Sequence, residues 1–113
     1  MLEIQTKQLP PDVVVIEAAG RITIGRECKE LEWAVAKLLK ENHKKIIFDL
    51  NAIDRMDSTG IGIVVMCAGQ VKAAGGELRV ACGEGHVADV MRMTAVDKIL
   101  VWRPTPSEAA AGF

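Results

Sequence analysis

Hydrophobic positions near the start of the chain fall into two short runs. Residues 4–9 alternate loosely between apolar and polar side chains, and residues 12–19 contain an uninterrupted β-branched stretch from Val13 to Ile16. Pro10-Pro11-Asp12 separates the two runs, and Gly20 follows the second one. Short β-branched runs that are bounded by proline and glycine are typical of strands. The pattern therefore predicts a β-hairpin that ends at Gly20.

The hydrophobic period then changes to that of a helix. Between residues 26 and 42, apolar side chains recur at spacings of three and four, which places them on one face of a helix. Later runs alternate between strand-like and helix-like patterns. The expected elements are a buried strand at 46–50, a polar turn at 51–57, a helix from Ser58 that Gly75-Gly76 ends, a strand at 77–82, a helix at 86–94, a strand at 99–102 and a helix at 107–111.

The element order ββαβαβαβα predicts an α/β fold with a mixed β-sheet. Strands that alternate with helices favour parallel neighbours joined by crossover helices, whereas the first two strands form an antiparallel hairpin. A chain of 113 residues is close to the usual size of one domain, so a single domain over residues 1–113 is expected.

The junction at Asp57-Ser58-Thr59-Gly60 is the candidate site, because it joins a buried strand to the start of a helix. Sites in open α/β sheets form at such junctions, where unpaired backbone N–H groups carry a partial positive charge. A side-chain oxygen of Asp57 or Ser58 can cap the helix. The simpler interpretation is that Ser58 or Thr59 is only a cap and that the glycines permit close packing. The functional interpretation is that Gly60 and Gly62 leave the first turn uncovered, so that another molecule can approach the backbone.

The residues from Met56 to Ile63, together with Gly75-Gly76-Glu77-Leu78, resemble the STAS domain of bacterial anti-sigma factor antagonists. Similar segments of that family fall at Gly20-Arg21-Ile22, at 45–50 and at 90–94, and the order of elements agrees along almost the whole chain. The resemblance implies a STAS-like fold. It also implies that Ser58, the first serine of the motif, is phosphorylated by a partner that is both anti-sigma factor and serine kinase.

The same resemblance implies how such a switch works. The unphosphorylated antagonist binds the anti-sigma factor and releases the sigma factor, and a phosphatase resets the switch. The implied partner-binding residues are Thr23, Asp57, Ser58, Thr59 and Gly60. Thr23 departs from the family pattern, since many members have an aspartate there, close to the phosphorylated serine. STAS domains also serve as non-switching scaffolds or subunits of transporters and signalling complexes, which is the alternative function.

Composition and charge narrow the class of partner. Lysine and arginine total 14, aspartate and glutamate 15, and the net charge is −1, so no basic excess indicates direct binding of nucleic acid. The longest stretch without charged or amide side chains, residues 58–69, is too short to span a membrane. The N-terminus has no pattern of a signal peptide, so a cytoplasmic protein is expected. A monomer or a weak homodimer is expected.

Few residues indicate catalysis or metal binding. Cys28, Cys67 and Cys82 are far apart in sequence, and His43 and His86 are isolated, so neither a disulfide framework nor a clustered zinc site is predicted. Buried cysteines that act as small apolar residues are the better interpretation. We expect a protein-binding module without a cofactor rather than an enzyme. An enzyme that uses a cysteine is a distant third hypothesis, because Cys67 has no activating base nearby in sequence.

The two tryptophans receive different predictions. Trp33 lies about 200° from Leu31 around the first helix, at about 100° per residue, and so falls on the side opposite the apolar face. It either covers lysine stems on a solvated face or marks a surface for a partner or for self-association. Trp102 follows an apolar run and is expected in the core.

Overall fold

The computed structural model describes residues 2–23 and 26–113, and within these the side chains of residues 26–28 and 97 lie outside the description. Over these residues the chain forms five strands and four α-helices in the predicted order, which confirms the mixed α/β fold. The elements are β1 (Leu2–Leu9), β2 (Val13–Ile22), α1 (Arg26–Lys40), β3 (Lys45–Met56), α2 (Ser58–Ala73), β4 (Glu77–Ala81), α3 (His86–Met93), a 3-10 helix (Val96–Lys98), β5 (Trp102–Arg103) and α4 (Pro106–Ala110).

The sheet has the strand order β1-β2-β3-β4-β5, which is also the order along the chain. β1 and β2 form the predicted antiparallel hairpin, whereas β2, β3, β4 and β5 run parallel to one another. Each pair of neighbouring parallel strands is joined through one helix, α1, α2 or α3. Because crossover connections are right-handed and the strand order never reverses, successive helices are carried to the same face of the sheet.

The two faces of the sheet bury side chains in separate clusters. Alternate residues of β2 and β3, such as Ile16 and Phe48, belong to the main core together with the apolar faces of α1, α2 and α3. Val15 and Ile47 point to the other face, where they pack with Ala109 of the short α4. β3 is therefore buried on both faces over its first half, as the apolar run predicted.

The polar turn predicted at 51–57 is wrong, because β3 continues to Met56. β2 likewise continues past Gly20 to Ile22, and the two extensions pair, with Ile22 opposite Met56. Ile53 and Met56 are buried although the residues between them are exposed. Register shifts in β2–β3 break the strict alternation of the strand, so the sequence pattern over this segment does not look like a strand.

The predicted strand at 99–102 is also placed too early. β5 covers only Trp102–Arg103, and a 3-10 helix at Val96–Lys98 precedes it. Ile99 is 65 % exposed and has no place in the sheet. Trp102 is half-buried and packs against the main core, and its Nε1 donates a hydrogen bond to the carbonyl oxygen of Cys82 at 2.7 Å. The predicted core position of Trp102 is therefore confirmed in part.

Across the described residues, no helix combines the length and the apolar character that a membrane crossing requires.

Trp33 is 65 % exposed, whereas Leu31, two residues earlier on α1, is fully buried. We expect Trp33→Ala to change the free energy of unfolding by less than about 0.5 kcal/mol, as surface substitutions usually do. Leu31→Ala should cost about 2–5 kcal/mol, because it leaves a cavity in the core. Thermal unfolding followed by circular dichroism compares the two variants. A loss of several degrees in the melting temperature of Trp33→Ala would show that Trp33 packs against the helix.

Candidate functional site

The junction between β3 and α2 is capped by Asp57. This residue has an extended backbone, with φ −104° and ψ −177°, and its Oδ1 accepts a hydrogen bond from the Gly60 amide at 2.8 Å. The carbonyl oxygen of Asp57 accepts the first helical hydrogen bond, from Ile61, at 3.1 Å. An extended residue whose carboxylate binds the amide three residues later is the usual N-cap arrangement. The structure thus assigns the cap to Asp57 and not to Ser58.

Ser58 is the first residue of α2, and its side chain is exposed, as is that of Thr59. Within the part of the chain that the structure describes, the Ser58 hydroxyl forms no hydrogen bond, because Asp57 already satisfies the nearby amide. Asp57 is the cap, and the first turn of α2 itself contains no acidic residue, so the start of the helix carries a single carboxylate against the positive end of its dipole. The hydroxyl is therefore accessible at a position that tolerates negative charge.

The two glycines of the motif have different roles. A Cβ on Gly60 would collide with the carbonyl oxygen of Ile22, and Gly60 is buried, so it serves close packing between α2 and the end of β2. The expectation that Gly60 leaves the helix start uncovered is therefore wrong. Gly62 is exposed and a Cβ there would meet nothing within 4 Å, which agrees with an open helix surface.

Thr23 lies next to this junction because of the same packing contact. It directly follows Ile22, which pairs with Met56 across the sheet and whose backbone lies against Gly60. Thr23 is half-buried. The structure therefore brings all the residues that the sequence singled out, Thr23 and residues 57–60, to one end of the sheet, where β2 and β3 finish.

The cysteines have the surroundings of structural residues. Cys67 is fully buried in α2, and Cys82 is buried at the end of β4. Burial raises the pKa of the Cys82 thiol, and the carboxylates of Asp49 and Glu84 raise it further, against the opposing effect of Arg92. A raised pKa disfavours the thiolate that a nucleophile needs. The side chain of Cys28 lies outside the described residues.

The histidines stand apart from other metal-binding side chains. His86 is the exposed first residue of α3, and His43 is half-buried after the end of α1, as their sequence positions predicted. Among the described residues, no group of three or more histidine, cysteine, aspartate or glutamate side chains could hold a metal ion. Arg92 contacts the Trp102 ring and Glu84, and its hydrogen bond lowers the pKa of the exposed Glu84 carboxyl.

Sequence comparison relates most of the chain to one family. The sequence profile of the STAS domain matches residues 4–111. A protein from Thermotoga neapolitana, named as a candidate anti-sigma factor antagonist, is 26 % identical over 98 residues, which cover 87 % of each chain.

Structural comparison finds the same architecture in solved proteins. The anti-sigma factor antagonist from Mycobacterium paratuberculosis superposes with a TM-score of 0.85 at 19 % identity, over 96 % of this chain and 91 % of the other. SpoIIAA of Bacillus, a cell fate determinant solved in its phosphorylated form, superposes with a TM-score of 0.70 at 18 % identity, over 95 % and 96 %. These TM-scores establish a shared fold, and the STAS-like architecture that the sequence predicted is confirmed.

Proposed function

Because this chain belongs to the STAS domain family, we propose that it acts as an anti-sigma factor antagonist that is controlled by phosphorylation of Ser58. In its unphosphorylated form the chain binds an anti-sigma factor and thereby releases a sigma factor. The anti-sigma factor is also the serine kinase, and a separate phosphatase restores the binding form. The names of the Thermotoga neapolitana relative and of the Mycobacterium paratuberculosis structure support this class of partner.

The observation that carries the proposal is the exposed hydroxyl of Ser58 at the start of α2. Asp57 supplies the cap, and among the described residues the Ser58 side chain has no hydrogen bond that modification would break. A phosphoryl group adds about −1.5 to −2 charges at neutral pH and is accommodated by the partial positive charge at a helix N-terminus. Phosphorylation at Ser58 therefore leaves the fold intact. The phosphorylated form of SpoIIAA, which shares this fold, supports such a switch.

Binding is lost because the phosphate changes the surface that the partner contacts. The surface around Ser58 already carries the carboxylates of Asp57 and of Asp54, which is exposed on β3. A further double negative charge must be desolvated there when a partner covers it, and like charges in an interface cost several kcal/mol. Thr23 and Thr59 form the rest of the proposed contact surface, and the buried Gly60 lies beneath it, where it holds the start of α2 against the end of β2. This is a binding function, and the raised pKa of Cys82 and the burial of Cys67 disfavour thiol catalysis.

Phosphorylation by the cognate kinase tests the site directly. We expect kinase and ATP to add one phosphate to the parent chain, located at Ser58 by fragmentation mass spectrometry, and to add none to Ser58→Ala. Thr59→Ala is the matched control, because Thr59 is the adjacent exposed hydroxyl, and it should be phosphorylated like the parent. Circular dichroism of the phosphorylated chain should match that of the unmodified chain.

A phosphate found at Thr59 would show that Thr59, and not Ser58, is the phosphorylated residue of the switch. If no phosphate is added and the partner binds regardless of Ser58 substitution, the chain is a non-switching STAS scaffold, and the switch proposal is wrong.

A further inference from the structure

Two arginines face each other across the sheet beside the Ser58 junction. Arg21 on β2 is paired in register with Arg55 on β3, and both side chains are exposed. Neighbouring strands lie about 4.8 Å apart, so the backbones hold two positive side chains next to each other. Like charges directly opposite one another destabilise a sheet. The pair therefore opposes folding unless another charge compensates it.

No carboxylate of the described residues compensates this pair. Neither arginine forms an ion pair or a side-chain hydrogen bond there, and Asp54, the residue before Arg55, contacts neither. Two other cations on the same sheet are matched: Lys7 pairs with Glu17 at 3.1 Å, and Arg79 with Glu77 at 3.0 Å. The chain as a whole carries a net charge of −1, so the juxtaposition of two arginines is not the consequence of a generally basic composition.

The position of the arginine pair connects it to the proposed switch. Arg21 and Arg55 immediately precede Ile22 and Met56, the last residue pair of β2 and β3. The residues after that pair are Thr23 and Asp57, and Ser58 follows. Arg21 and Arg55 alternate with the core-facing Ile22 and Met56, so their side chains lie on the face of the sheet opposite α2. A partner that covers Ser58 and extends around this end of the sheet would meet both exposed guanidinium groups. Arginine prefers carboxylates as partners because its planar fork can bind both oxygens.

From this arrangement we propose that Arg21 and Arg55 together bind an aspartate or glutamate of the anti-sigma factor, and that they select this partner. The inference rests on the proposed function, since it names the partner's chemistry at the same site. It also gives a reason why phosphorylation would weaken binding, because a negative group on Ser58 repels an acidic partner surface that docks beside it. Charges at the rim of an interface act mainly on the association rate and on its salt dependence.

Charge reversal of each arginine tests the inference. We expect Arg21→Glu and Arg55→Glu each to weaken binding of the purified anti-sigma factor at least about tenfold in Kd at low salt, mainly through slower association. The dependence of Kd on salt should become shallower in both variants. Arg103→Glu is the matched control, since Arg103 is an exposed arginine of β5, at the opposite edge of the sheet, and it should bind like the parent.

Unfolding measurements on the same variants separate binding from folding. Each single reversal replaces an Arg–Arg pair by a Glu–Arg pair, so its denaturation midpoint should equal or exceed that of the parent. Weaker binding with unchanged or higher stability supports the proposal. A lower midpoint in both variants would show that the arginines are structural. In that case Arg21→Gln and Arg55→Gln, which remove the charge without reversing it, must still weaken binding for the proposal to stand.

The failure of this inference is distinguishable from failure of the switch. If both reversals bind like the parent while phosphorylation of Ser58 abolishes binding, the arginine contact is wrong and the switch stands. If the reversals weaken binding while phosphorylation has no effect, the arginine contact stands and the switch is wrong. If the anti-sigma factor binds no form of the chain, both are wrong.

Discussion

Gly60→Ala should lower the free energy of unfolding by about 1–3 kcal/mol or more, whereas Gly62→Ala should leave it unchanged or raise it. The added Cβ of Gly60→Ala collides with the carbonyl oxygen of Ile22, and it also comes within 3.0 Å of the Ile22 and Met56 side chains. A backbone carbonyl cannot move aside without shifting β2, and extra volume in a packed contact costs about that amount. The same methyl group on Gly62 meets nothing within 4 Å.

The pair of glycine variants is informative because both residues lie in the first turns of one helix. Alanine is favoured over glycine inside a helix by about 1 kcal/mol, so propensity alone predicts that both variants are stabilised. Only the contact with Ile22 reverses the sign at Gly60. Urea unfolding at constant pH, with the slope compared between variants, measures both changes. Equal stabilisation of the two variants would show that α2 does not lie against the end of β2.

Binding measurements on Gly60→Ala extend the same argument to the site. The contact between Gly60 and Ile22 holds the end of β2, and with it Thr23, against the start of α2. A shift there moves Thr23 relative to Ser58. We therefore expect Gly60→Ala to weaken partner binding more than Gly62→Ala at temperatures where both are folded.

The fold was predictable from sequence wherever one physical signal dominated. α1 and α3 follow a clear helical period, and the β-branched run of β2 and the apolar run at 46–50 have strong strand signals. The end of β3 was missed because its outward residues are polar on both sides of Ile53, and a register shift removes the period-two pattern. β5 was misplaced because Ile99 and Leu100 are not paired with β4, and contact with β4 starts only at Val101, whose carbonyl oxygen accepts a hydrogen bond from the Val80 amide at 2.9 Å.

The candidate site was predictable to a similar degree, and its prediction was incomplete for a related reason. A capped strand–helix junction at residues 57–60 follows from residue types, which is local chemistry, but the sequence left the identity of the cap open and the structure assigns it to Asp57. Close packing was one of the two roles that the sequence offered for Gly60, but nothing in the sequence identifies Ile22 as the residue against which it packs. Arg21 and Arg55 were missed because they are 34 positions apart and only the β2–β3 register brings them together. Register is a property of the folded sheet, and local patterns do not encode it where the alternation is broken.

Ser58→Asp should fold as well as the parent and bind the anti-sigma factor at least about tenfold more weakly. A carboxylate in the first turn of a helix gains about 0.3–1 kcal/mol from the dipole, so the fold is not destabilised. In the complex the same carboxylate is desolvated near Asp57 and Asp54, where like-charge contacts cost several kcal/mol. Each 1.4 kcal/mol corresponds to a factor of ten in Kd, so the loss is easily measured by titration calorimetry. Aspartate is smaller and less charged than phosphoserine, and a smaller effect than that of phosphorylation is expected.

Ser107→Asp provides the control for charge at a helix start. Ser107 is an exposed residue in the first turn of α4, which Thr105 caps, and α4 packs on the opposite face of the sheet from α2. The control adds the same charge to the chain in a similar helical position, away from the proposed interface. It should bind the anti-sigma factor like the parent, and Ser58→Ala should bind it even after treatment with kinase and ATP. If Ser58→Asp and Ser107→Asp bind with equal affinity to the parent, the surface around Ser58 is not covered by the partner, and the phosphorylation switch is wrong.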